Sequence, residues 1–280
     1  MSEANSFGLV GLLGWPVAQS RSPMIQNFWL NQHGIRGRYV LLPVAPNKLD
    51  QAVSALAVLG FRGCNVTMPH KQAIMPLLDQ VDPMARRIGA VNTIVVQEDG
   101  TLMGFNNDGL GFVQSVYDAK PGWRPDFSPI LVLGAGGAAR AVVVALLEQG
   151  AQDIRVTNRT PERAQQMAAE IGGPVTVVAW ENRNDALAEV ALLVNATDRG
   201  MVGKPALEIS LRRLPANAIV GDLIYTPPET PFLSAARERG NTTVNGLGLL
   251  FNQARLAFEA WFGVRPDITP ELQNAVAATF

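Results

Sequence analysis

The sequence contains very little cysteine and histidine: Cys64 is the only cysteine, and His33 and His70 are the only histidines. One cysteine cannot form an intramolecular disulfide, and this fits a reducing compartment. Cys64 lies in an apolar segment, where a free cysteine is usually a small core residue. The two histidines are too few and too badly spaced for a zinc site with cysteine and histidine ligands. We therefore expect neither a disulfide nor a bound metal.

The sequence also lacks an excess of charge and a long hydrophobic run. Its 23 basic and 24 acidic residues are interspersed and leave a net charge of −1, which does not suit phosphate contacts with a nucleic acid. The longest apolar run, AVVVALL, is far too short to cross a bilayer. The N-terminal residues MSEANSFG have neither the basic end nor the apolar core of a signal peptide. We expect a cytoplasmic protein with no nucleic-acid and no membrane partner.

The composition suits two domains, because 48% of the 280 residues are hydrophobic and can form two cores. In the first half, strand-like and helix-like segments alternate, and the turn EDG joins two strands into a hairpin. In the first helix, Ser22 is the expected N-cap, followed by Pro23, and Gly34 is the expected stop. The expected strands are GLVGLLG, RYVLLPV, GCNVTM, VNTIVV and TLMGF, and the expected helices are SPMIQNFWLNQHG, NKLDQAVSALAVLG and KQAIMPLLD.

The second half begins after PGWRPDFSP, a stretch whose proline and polar residues are typical of a linker. Beyond it, apolar strands alternate with helices, as in a mostly parallel sheet that has helices on both faces. The segment LGLLFNQARLAFEAWFG then has apolar residues at helical spacing and predicts a long helix. The alternating segments are PILVLG, AARAVVVALLEQG, DIRVTN, PERAQQMAAEIG, PVTVVAW, ALLVNAT and AIVGDLIY.

The segment ILVLGAGGAARA has the strongest local signal, because an apolar strand runs into a glycine turn that opens a helix. In this G-x-G-x-x-A motif the first glycine makes the turn and the second lets a pyrophosphate approach the backbone. Amides at the helix start can then bind the anion. The alternative is a tight glycine turn without a ligand. The predicted dinucleotide contacts are Gly134, Ala135, Gly136, Gly137 and Ala138.

The next strand indicates which dinucleotide is bound. A cofactor with a free ribose 2′-hydroxyl usually meets an acidic residue about 20 positions further on. Here the strand ends in Asn158, Arg159 and Thr160, with Arg163 one helical turn later. An arginine can hold a 2′-phosphate through charge-assisted hydrogen bonds, and Thr160 before a proline is an expected N-cap. We predict NADP(H); the alternative is a solvated arginine on a surface turn.

Hydride chemistry also requires a partner site that holds a carbonyl or an alcohol and moves one proton. Hydroxyls just before a helix suit a carboxylate, and an amine at a strand end could be a proton acceptor. For each such residue alone, the alternative is a structural role as an N-cap, a turn former or a surface charge. The candidates are Ser20, Ser22, Asn65, Thr67, Lys71, Asn92 and Asp108.

Together these segments resemble the shikimate dehydrogenase family over essentially the whole chain. The matching segments, in the family's order, are SRSP, NVTMPHK, GAVNT, NNDGLG, GAGGAARA, NRTPER, NATDRGM, DLIYTPPETPFL and NGLGLLFNQA. The resemblance implies an α/β fold with two domains and a cleft between them. It places an α/β substrate-binding catalytic domain at residues 1–111 plus 246–280, and a Rossmann-type doubly wound NADP-binding domain at residues 112–245.

The resemblance also implies an activity and the residues that perform it. The reaction is the reversible, NADP-dependent reduction of 3-dehydroshikimate to shikimate in aromatic amino-acid biosynthesis, by a monomer or a homodimer. Lys71 and Asp108 are implied as the catalytic pair, which we expect to share and relay one proton. The implied substrate contacts are Ser20, Ser22, Thr67, Asn92, Asp108, Tyr225 and Gln253. The implied cofactor contacts are Gly134 to Ala138, Asn158, Arg159, Thr160, Arg163, Leu223 and Gly246, and Thr197 is expected to close the nucleotide site at a strand end.

The sequence departs from the family pattern at several positions. Gln19 and Gln26 replace histidines, Asn107 replaces a threonine, and Asp198-Arg199 is a charged version of a small or apolar loop. Arg199 either contacts the nucleotide phosphates or faces solvent. One alternative activity is that of a quinate or aminoshikimate dehydrogenase, although relatives that accept quinate tend to alter the two serines. Another is a non-catalytic NADP-binding regulator, which would be expected to lose the catalytic pair.

Overall fold

The structure is a computed structural model that describes residues 7–126 and 129–279. Residues 1–6, which belong to the segment without a signal-peptide pattern, lie outside the described residues. So do residues 127 and 128 of the predicted linker 121–129, and residue 280. No helix in the described ranges combines the length and apolarity needed to cross a membrane.

The described chain divides into two compact units. Residues 7–107 and 254–279 form the first unit, and residues 108–253, apart from 127 and 128, form the second. The domain boundaries proposed from the sequence, after residue 111 and before residue 246, stay a prediction.

Twelve strands form two six-stranded sheets, one in each unit, among the described residues. The first unit contains β1 (Gly8–Gly14), β2 (Gly37–Pro43), β3 (Phe61–Val66), β4 (Gln80–Val81), β5 (Thr93–Val96) and β6 (Leu102–Phe105). The second contains β7 (Ile130–Leu133), β8 (Ile154–Thr157), β9 (Val175–Val177), β10 (Leu192–Asn195), β11 (Ile219–Asp222) and β12 (Thr242–Val244).

Ten α-helices accompany these strands in the described part of the chain, besides short 3₁₀ turns. They are α1 (Ser22–Gln32), α2 (Leu49–Val58), α3 (His70–Ala73), α4 (Pro83–Ile88), α5 (Asp108–Ala119), α6 (Gly137–Glu148), α7 (Pro161–Ile171), α8 (Pro231–Glu238), α9 (Gly246–Phe262) and α10 (Pro270–Ala277).

The sheet of the first unit is mixed, with the strand order β2-β1-β3-β5-β6-β4. Strand β1 pairs in parallel with β2 and β3, whereas β5 is antiparallel to both β3 and β6. The predicted hairpin between β5 and β6 is confirmed, with Gly100 at φ 85° in its turn. Because β5 runs opposite to β3, the start of β5 and the ends of β3 and β6 meet at one edge of the sheet.

The core of the first unit packs on both faces of this sheet. Cys64 is fully buried among apolar neighbours such as Leu13 and Ile94, so its predicted core position is confirmed. Burial raises the pKa of its thiol to about 12. On the other face, α9 packs Trp261 against Tyr39 of β2, with ring centroids 6.2 Å apart.

Of the two signals predicted for the ends of α1, the N-cap at Ser22 and the stop at Gly34, only the stop is confirmed. The predicted N-cap role of Ser22 is wrong, because Ser22 is the first residue of α1 and Arg21 occupies the N-cap position, where its carbonyl accepts hydrogen bonds from the amides of Met24 and Ile25. The helix therefore begins one residue earlier than the serine signal suggests. The predicted stop at Gly34 is confirmed: it has φ 64° and its amide donates to the Asn31 carbonyl at 3.2 Å.

The sheet of the second unit is entirely parallel, with the order β12-β11-β10-β7-β8-β9. Counted along the chain from β7, this is the 3-2-1-4-5-6 order of a dinucleotide-binding fold. Strands β7 and β10 at the centre are fully buried, which explains their continuous apolar sequences. The order reverses between β7 and β10, so the carboxyl ends of these strands form the expected ligand-binding edge.

Candidate active site

In the first unit, the predicted substrate residues meet at one edge of the mixed sheet. Ser20 and Ser22 follow β1, Thr67 and Lys71 follow β3, and Asn92 immediately precedes β5. Three chain segments that are far apart in sequence therefore bring polar side chains to the same edge.

A buried hydrogen-bond network connects these segments. The Tyr39 hydroxyl donates to Asn65 Oδ1 at 2.9 Å, and Asn65 Nδ2 lies 3.2 Å from both the Asn92 carbonyl and Thr93 Oγ1. Thr93 Oγ1 donates to Asn92 Oδ1 at 2.9 Å, and the backbone amide of Asn107 donates to the same oxygen at 2.9 Å. These contacts fix the orientation of the Asn92 side chain, because both donors face its oxygen and leave the amide group pointing elsewhere.

The network reaches the serines through Tyr39. Burial raises the pKa of the Tyr39 phenol well above its usual value, and a hydrogen bond with the Ser22 side chain partly offsets this effect. The Ser20 hydroxyl oxygen in turn accepts a hydrogen bond from the Ser22 amide at 3.2 Å. Both predicted carboxylate ligands are thus held at the start of α1.

Lys71 lies on the short helix α3 and is half-buried. Its carbonyl accepts a hydrogen bond from the Val91 amide at 2.8 Å, and the next residue, Asn92, donates its amide to the Phe105 carbonyl at 2.9 Å. The backbone that carries Lys71 is therefore joined to the segments of Asn92 and Phe105. Asp108 follows three residues after Phe105 and begins α5.

His70, beside the lysine, is 1% exposed, and its Nε2 lies 2.7 Å from the Val44 carbonyl. His70 is therefore a buried, hydrogen-bonded residue of the first unit.

Gln26 replaces a family histidine one helical turn after Ser22. It is fully buried, and its Nε2 donates to the Ala254 carbonyl at 2.9 Å. Asn107, the other polar replacement, donates its side-chain amide to Thr93 Oγ1 at 3.2 Å. Both departures from the family pattern are therefore part of the hydrogen-bonded framework of the first unit.

In the second unit, the glycine turn after β7 is shaped for a close ligand. Gly134 has φ 112°, and its amide donates to the Thr157 carbonyl of the neighbouring strand at 2.8 Å. Apart from the adjoining backbone, no heavy atom of the described residues lies within 4 Å of a Cβ added at Gly136 or Gly137. The space in front of α6 is therefore open where the first amides of the helix have no intrahelical acceptor. This geometry fits the pyrophosphate of a dinucleotide.

The segment after β8 fits an additional phosphate group. Arg159 and Arg163 are exposed, and neither forms an ion pair with a described acidic residue. Thr160 is the N-cap residue of α7, as predicted, although its side chain makes no capping bond; Asn158 Nδ2 donates to its carbonyl at 2.9 Å. Two arginines beside a helix start can bind the 2′-phosphate of NADP(H).

The remaining predicted cofactor residues lie on neighbouring loops at the same sheet edge. Thr197 follows β10 and lies against the glycine turn, since a Cβ added at Gly134 would be 3.2 Å from Thr197 Cγ2. Leu223 follows β11, and a Cβ added at Gly246 would collide with its carbonyl. The Gly246 amide donates to the Ile224 carbonyl at 3.0 Å. Only glycine permits this close approach of α9 to the loop after β11.

The last two predicted substrate residues and Arg199 also belong to this unit. Tyr225 is 38% exposed on the turn after β11, whereas Gln253 is 8% exposed in α9 and donates to the Leu250 carbonyl at 2.9 Å. The side chain of Arg199 is 26% exposed, and its Nε lies 4.0 Å from Asp198 Oδ1. It is therefore not fully solvated.

Sequence reasoning missed Tyr39. It is 2% exposed, and a buried tyrosine hydroxyl usually has a hydrogen-bond partner. A tyrosine within an apolar strand was the available signal.

Two family models match the chain: "Shikimate dehydrogenase substrate binding domain" over residues 12–94 and "Shikimate / quinate 5-dehydrogenase" over residues 125–213. A shikimate dehydrogenase (NADP(+)) of Paramagnetospirillum magneticum is 52% identical over 268 residues, which cover 96% of this chain and 97% of that protein. The likeness extends over the whole chain rather than over one domain.

Solved structures show the same fold. The structure of shikimate 5-dehydrogenase from Thermus thermophilus in complex with NADP(H) and shikimate is 38% identical, with a TM-score of 0.86 and coverage of 98% of this chain and 100% of that chain. A quinate dehydrogenase from Corynebacterium glutamicum in complex with NAD is 32% identical, with a TM-score of 0.88 and coverage of 98% and 99%. The predicted two-domain α/β fold class is confirmed.

Proposed function

Since the chain belongs to the shikimate dehydrogenase family, we propose that it catalyses the reversible, NADP-dependent reduction of 3-dehydroshikimate to shikimate in aromatic amino-acid biosynthesis. Relatives named as NADP(+)-dependent shikimate dehydrogenases confirm the predicted enzyme class and cofactor. A cytoplasmic location and a monomeric or homodimeric state stay predictions. The hydrogen-bonded framework of the first unit is the observation that supports the proposal best, because it orients the groups that must hold a small polyol carboxylate.

The carboxylate and the ring hydroxyls of the substrate are held by different sets of polar side chains. Ser20 and Ser22 donate to its carboxylate, and Tyr225 and Gln253 supply further polar contacts. Thr67 and Asn92 bind the ring hydroxyls, and the orientation of the Asn92 side chain supports this role because its oxygen is already occupied by two donors.

The proton moves between the substrate oxygen and the pair formed by Lys71 and Asp108. NADPH, when bound, supplies the hydride that the carbonyl carbon receives, and NADP⁺ accepts it in the reverse direction. As the carbonyl carbon gains hydride, its oxygen gains negative charge, and the Lys71 ammonium donates a proton to it. In the proposed relay Asp108 shares this proton with Lys71, so that the two groups act as one coupled acid and base.

The cofactor is held by the second unit. The amides at the start of α6 bind the pyrophosphate, with Gly134 to Ala138 forming the turn around it. Asn158, Arg159, Thr160 and Arg163 bind the 2′-phosphate. Thr197 closes the nucleotide site at the end of β10, and Leu223 and Gly246 border the nicotinamide half.

Absorbance at 340 nm measures the activity directly. Purified protein is assayed with shikimate or quinate, each with NADP⁺ or NAD⁺. We expect the highest kcat/KM with shikimate and NADP⁺. A higher kcat/KM with quinate would replace the proposed substrate, and the absence of turnover in all four assays would favour a non-catalytic NADP-binding protein.

The Lys71→Ala variant tests the proton relay. We expect kcat to fall by about a hundredfold or more, with a smaller change in the KM for shikimate, because general acid–base catalysis contributes to the transition state more than to binding. Lys48→Ala, which changes an exposed lysine of the same unit, is the matched control and should keep wild-type kinetics. Retained turnover in Lys71→Ala would give the lysine a structural role.

A further inference from the structure

A fully buried carboxylate lies at the carboxyl end of β11, outside the proposed proton relay. Asp222 is 0% exposed. Its Oδ1 accepts hydrogen bonds from Asn195 Nδ2 at 3.0 Å and from the Ile224 amide at 3.1 Å, and its Oδ2 accepts one from Thr230 Oγ1 at 2.7 Å. No cationic side chain among the described residues pairs with it. Three neutral donors from three different segments therefore hold its negative charge.

These hydrogen bonds continue toward Thr197. Because Asn195 Nδ2 faces the carboxylate of Asp222, its Oδ1 faces the opposite way and accepts from the Thr197 amide at 3.1 Å and the Thr197 hydroxyl at 2.7 Å. The Thr197 hydroxyl oxygen also accepts from the Arg199 amide at 3.1 Å. Asp222 thus selects one of the two possible orientations of the Asn195 amide, and this orientation determines the turn that carries Thr197.

The other two donors connect Asp222 to the loop after β11 and to α8. The bond from the Ile224 amide fixes the backbone immediately after Leu223, and Thr230 is the N-cap of α8, where its hydroxyl accepts from the Leu233 amide at 3.3 Å. The Asp222 side chain therefore holds the loop that carries Thr197 and the loop that carries Leu223, and both residues are predicted contacts of the cofactor.

Holding this charge is unfavourable for folding. Burial raises the pKa of Asp222 from its usual 3.8 to about 6, although hydrogen bonds from Thr230, Ile224 and Asn195 oppose the rise. At neutral pH the group is ionised in a place that disfavours ionisation. A buried, strongly perturbed carboxylate at the ligand-binding edge of a sheet is more typical of a functional requirement than of fold stability.

We propose that Asp222 is a positioning residue for the cofactor, which holds the Thr197 and Leu223 loops in the geometry that binds NADP(H). It acts through Asn195 and the Ile224 amide and does not touch the cofactor itself. The proposal rests on the proposed function, because Thr197 and Leu223 are predicted contacts of NADP(H).

Calorimetric titration of the full chain with NADP⁺ at neutral pH, well below the unfolding temperature, tests this role. In Asp222→Ala the three donors lose their acceptor, and in Asn195→Ala the connection to Thr197 is lost. We expect the Kd for NADP⁺ to rise about tenfold or more in both variants, since each leaves buried polar groups unsatisfied.

Two further variants separate positioning from simple destabilisation. In Asp222→Asn the amide oxygen keeps the bonds from Asn195 and Ile224, and the amide nitrogen donates to the Thr230 hydroxyl, so the Kd should stay within about threefold of wild type. Asp185→Ala removes an aspartate of the same unit whose side chain is 68% exposed, and it should match wild type.

Unchanged NADP⁺ binding in both Asp222→Ala and Asn195→Ala overturns the positioning role and leaves the proposed function intact. Asp222→Asn keeps the hydrogen-bond acceptor, so NADP⁺ binding as weak in Asp222→Asn as in Asp222→Ala also overturns the positioning role. If Asp222→Ala does not fold, the Kd values of Asn195→Ala and Asp222→Asn for NADP⁺ test the positioning role: it requires a raised Kd in the first and a nearly wild-type Kd in the second. Failure of the wild type to bind NADP⁺ refutes the proposed function itself.

Discussion

The substitution Asp222→Asn is expected to make the protein more stable at neutral pH. The wild-type carboxylate is fully buried at the end of β11, and burial raises its pKa to about 6. An asparagine keeps the shape and the hydrogen bonds to Asn195 and Ile224 but carries no charge. The variant therefore removes a buried ionisation and leaves the surrounding packing in place.

The sign and the size of the effect follow from the two pKa values. Below pH 3.8 the carboxyl group is protonated in both the folded and the unfolded chain, so ionisation has no effect on stability. As the pH rises from 3.8 to about 6, the unfolded chain loses its proton before the folded chain does, and the free energy of unfolding falls. The full difference corresponds to about 3 kcal/mol above pH 6. Asparagine does not titrate, so the variant does not show this loss.

Urea unfolding followed by tryptophan fluorescence, repeated at a series of pH values from 4 to 8, measures the effect. The informative quantity is the stability of Asp222→Asn minus that of the wild type, because the other titrating groups cancel in this difference. We expect the difference to increase with pH between about 4 and 6 and to be constant above. Asp185→Asn, at an exposed position, is the control and should show no such increase. A difference independent of pH would refute the reasoning that burial perturbs Asp222.

Three further outcomes are expected. Tyr39→Phe leaves Asn65 Oδ1 without its donor, so the free energy of unfolding should fall by about 1–3 kcal/mol and the KM for shikimate should rise more than kcat falls. An unchanged KM would show that the hydrogen-bond network of Tyr39 does not contribute to substrate binding. Gly134→Ala places a Cβ at φ 112°, 2.9 Å from the Ala196 carbonyl oxygen, and should lower the thermal midpoint and raise the KM for NADP⁺; wild-type values for both would contradict this backbone geometry. The double change Arg159→Ala and Arg163→Ala should lower kcat/KM with NADP⁺ by about tenfold or more and leave that with NAD⁺ unchanged; equal losses with both cofactors would contradict 2′-phosphate recognition.

Much of the fold was predictable because the relevant signals are local. The alternation of apolar strands and helices beyond residue 129 predicted the parallel sheet, and the long helix at α9 was also predicted.

Helices α5 and α8 were not predicted, nor were α4 and α10. Helix α5 contains Gly109 and Gly111, which weaken helix propensity, yet a Cβ at Gly109 would collide with the Ala141 carbonyl and one at Gly111 would lie 2.7 Å from the Gln253 amide. Close packing against α6 and α9 requires glycine there and outweighs propensity.

The candidate site was predictable to the extent that its residues belong to recognisable motifs. The glycine turn was derived from its residue types, and the roles of Lys71 and Asp108 came from the family resemblance; those roles stay a prediction. The Ser22 cap was predicted incorrectly, because a serine before proline is a helix-start signal that does not specify whether the helical backbone begins one residue earlier. Tyr39 and Asp222 were not assigned any role. A tyrosine within an apolar strand was a signal for Tyr39, but its partner Asn65 lies on another strand. Asp222 opens the segment DLIYTPPETPFL, but its burial depends on the packing of the second unit.

The sequence by itself determined the places where backbone conformation depends on residue type: the positive φ of Gly134 and Gly34, the open helix start at Gly136, and the apolar strands that had to be buried. Only the tertiary structure decided which side chains share hydrogen bonds. Asn65 meets Asn92 because β3 and β5 are antiparallel neighbours, and Asp222 meets Asn195 because β11 lies beside β10. These partners are 27 residues apart along the chain in both cases, and local periodicity carries no information about strand order.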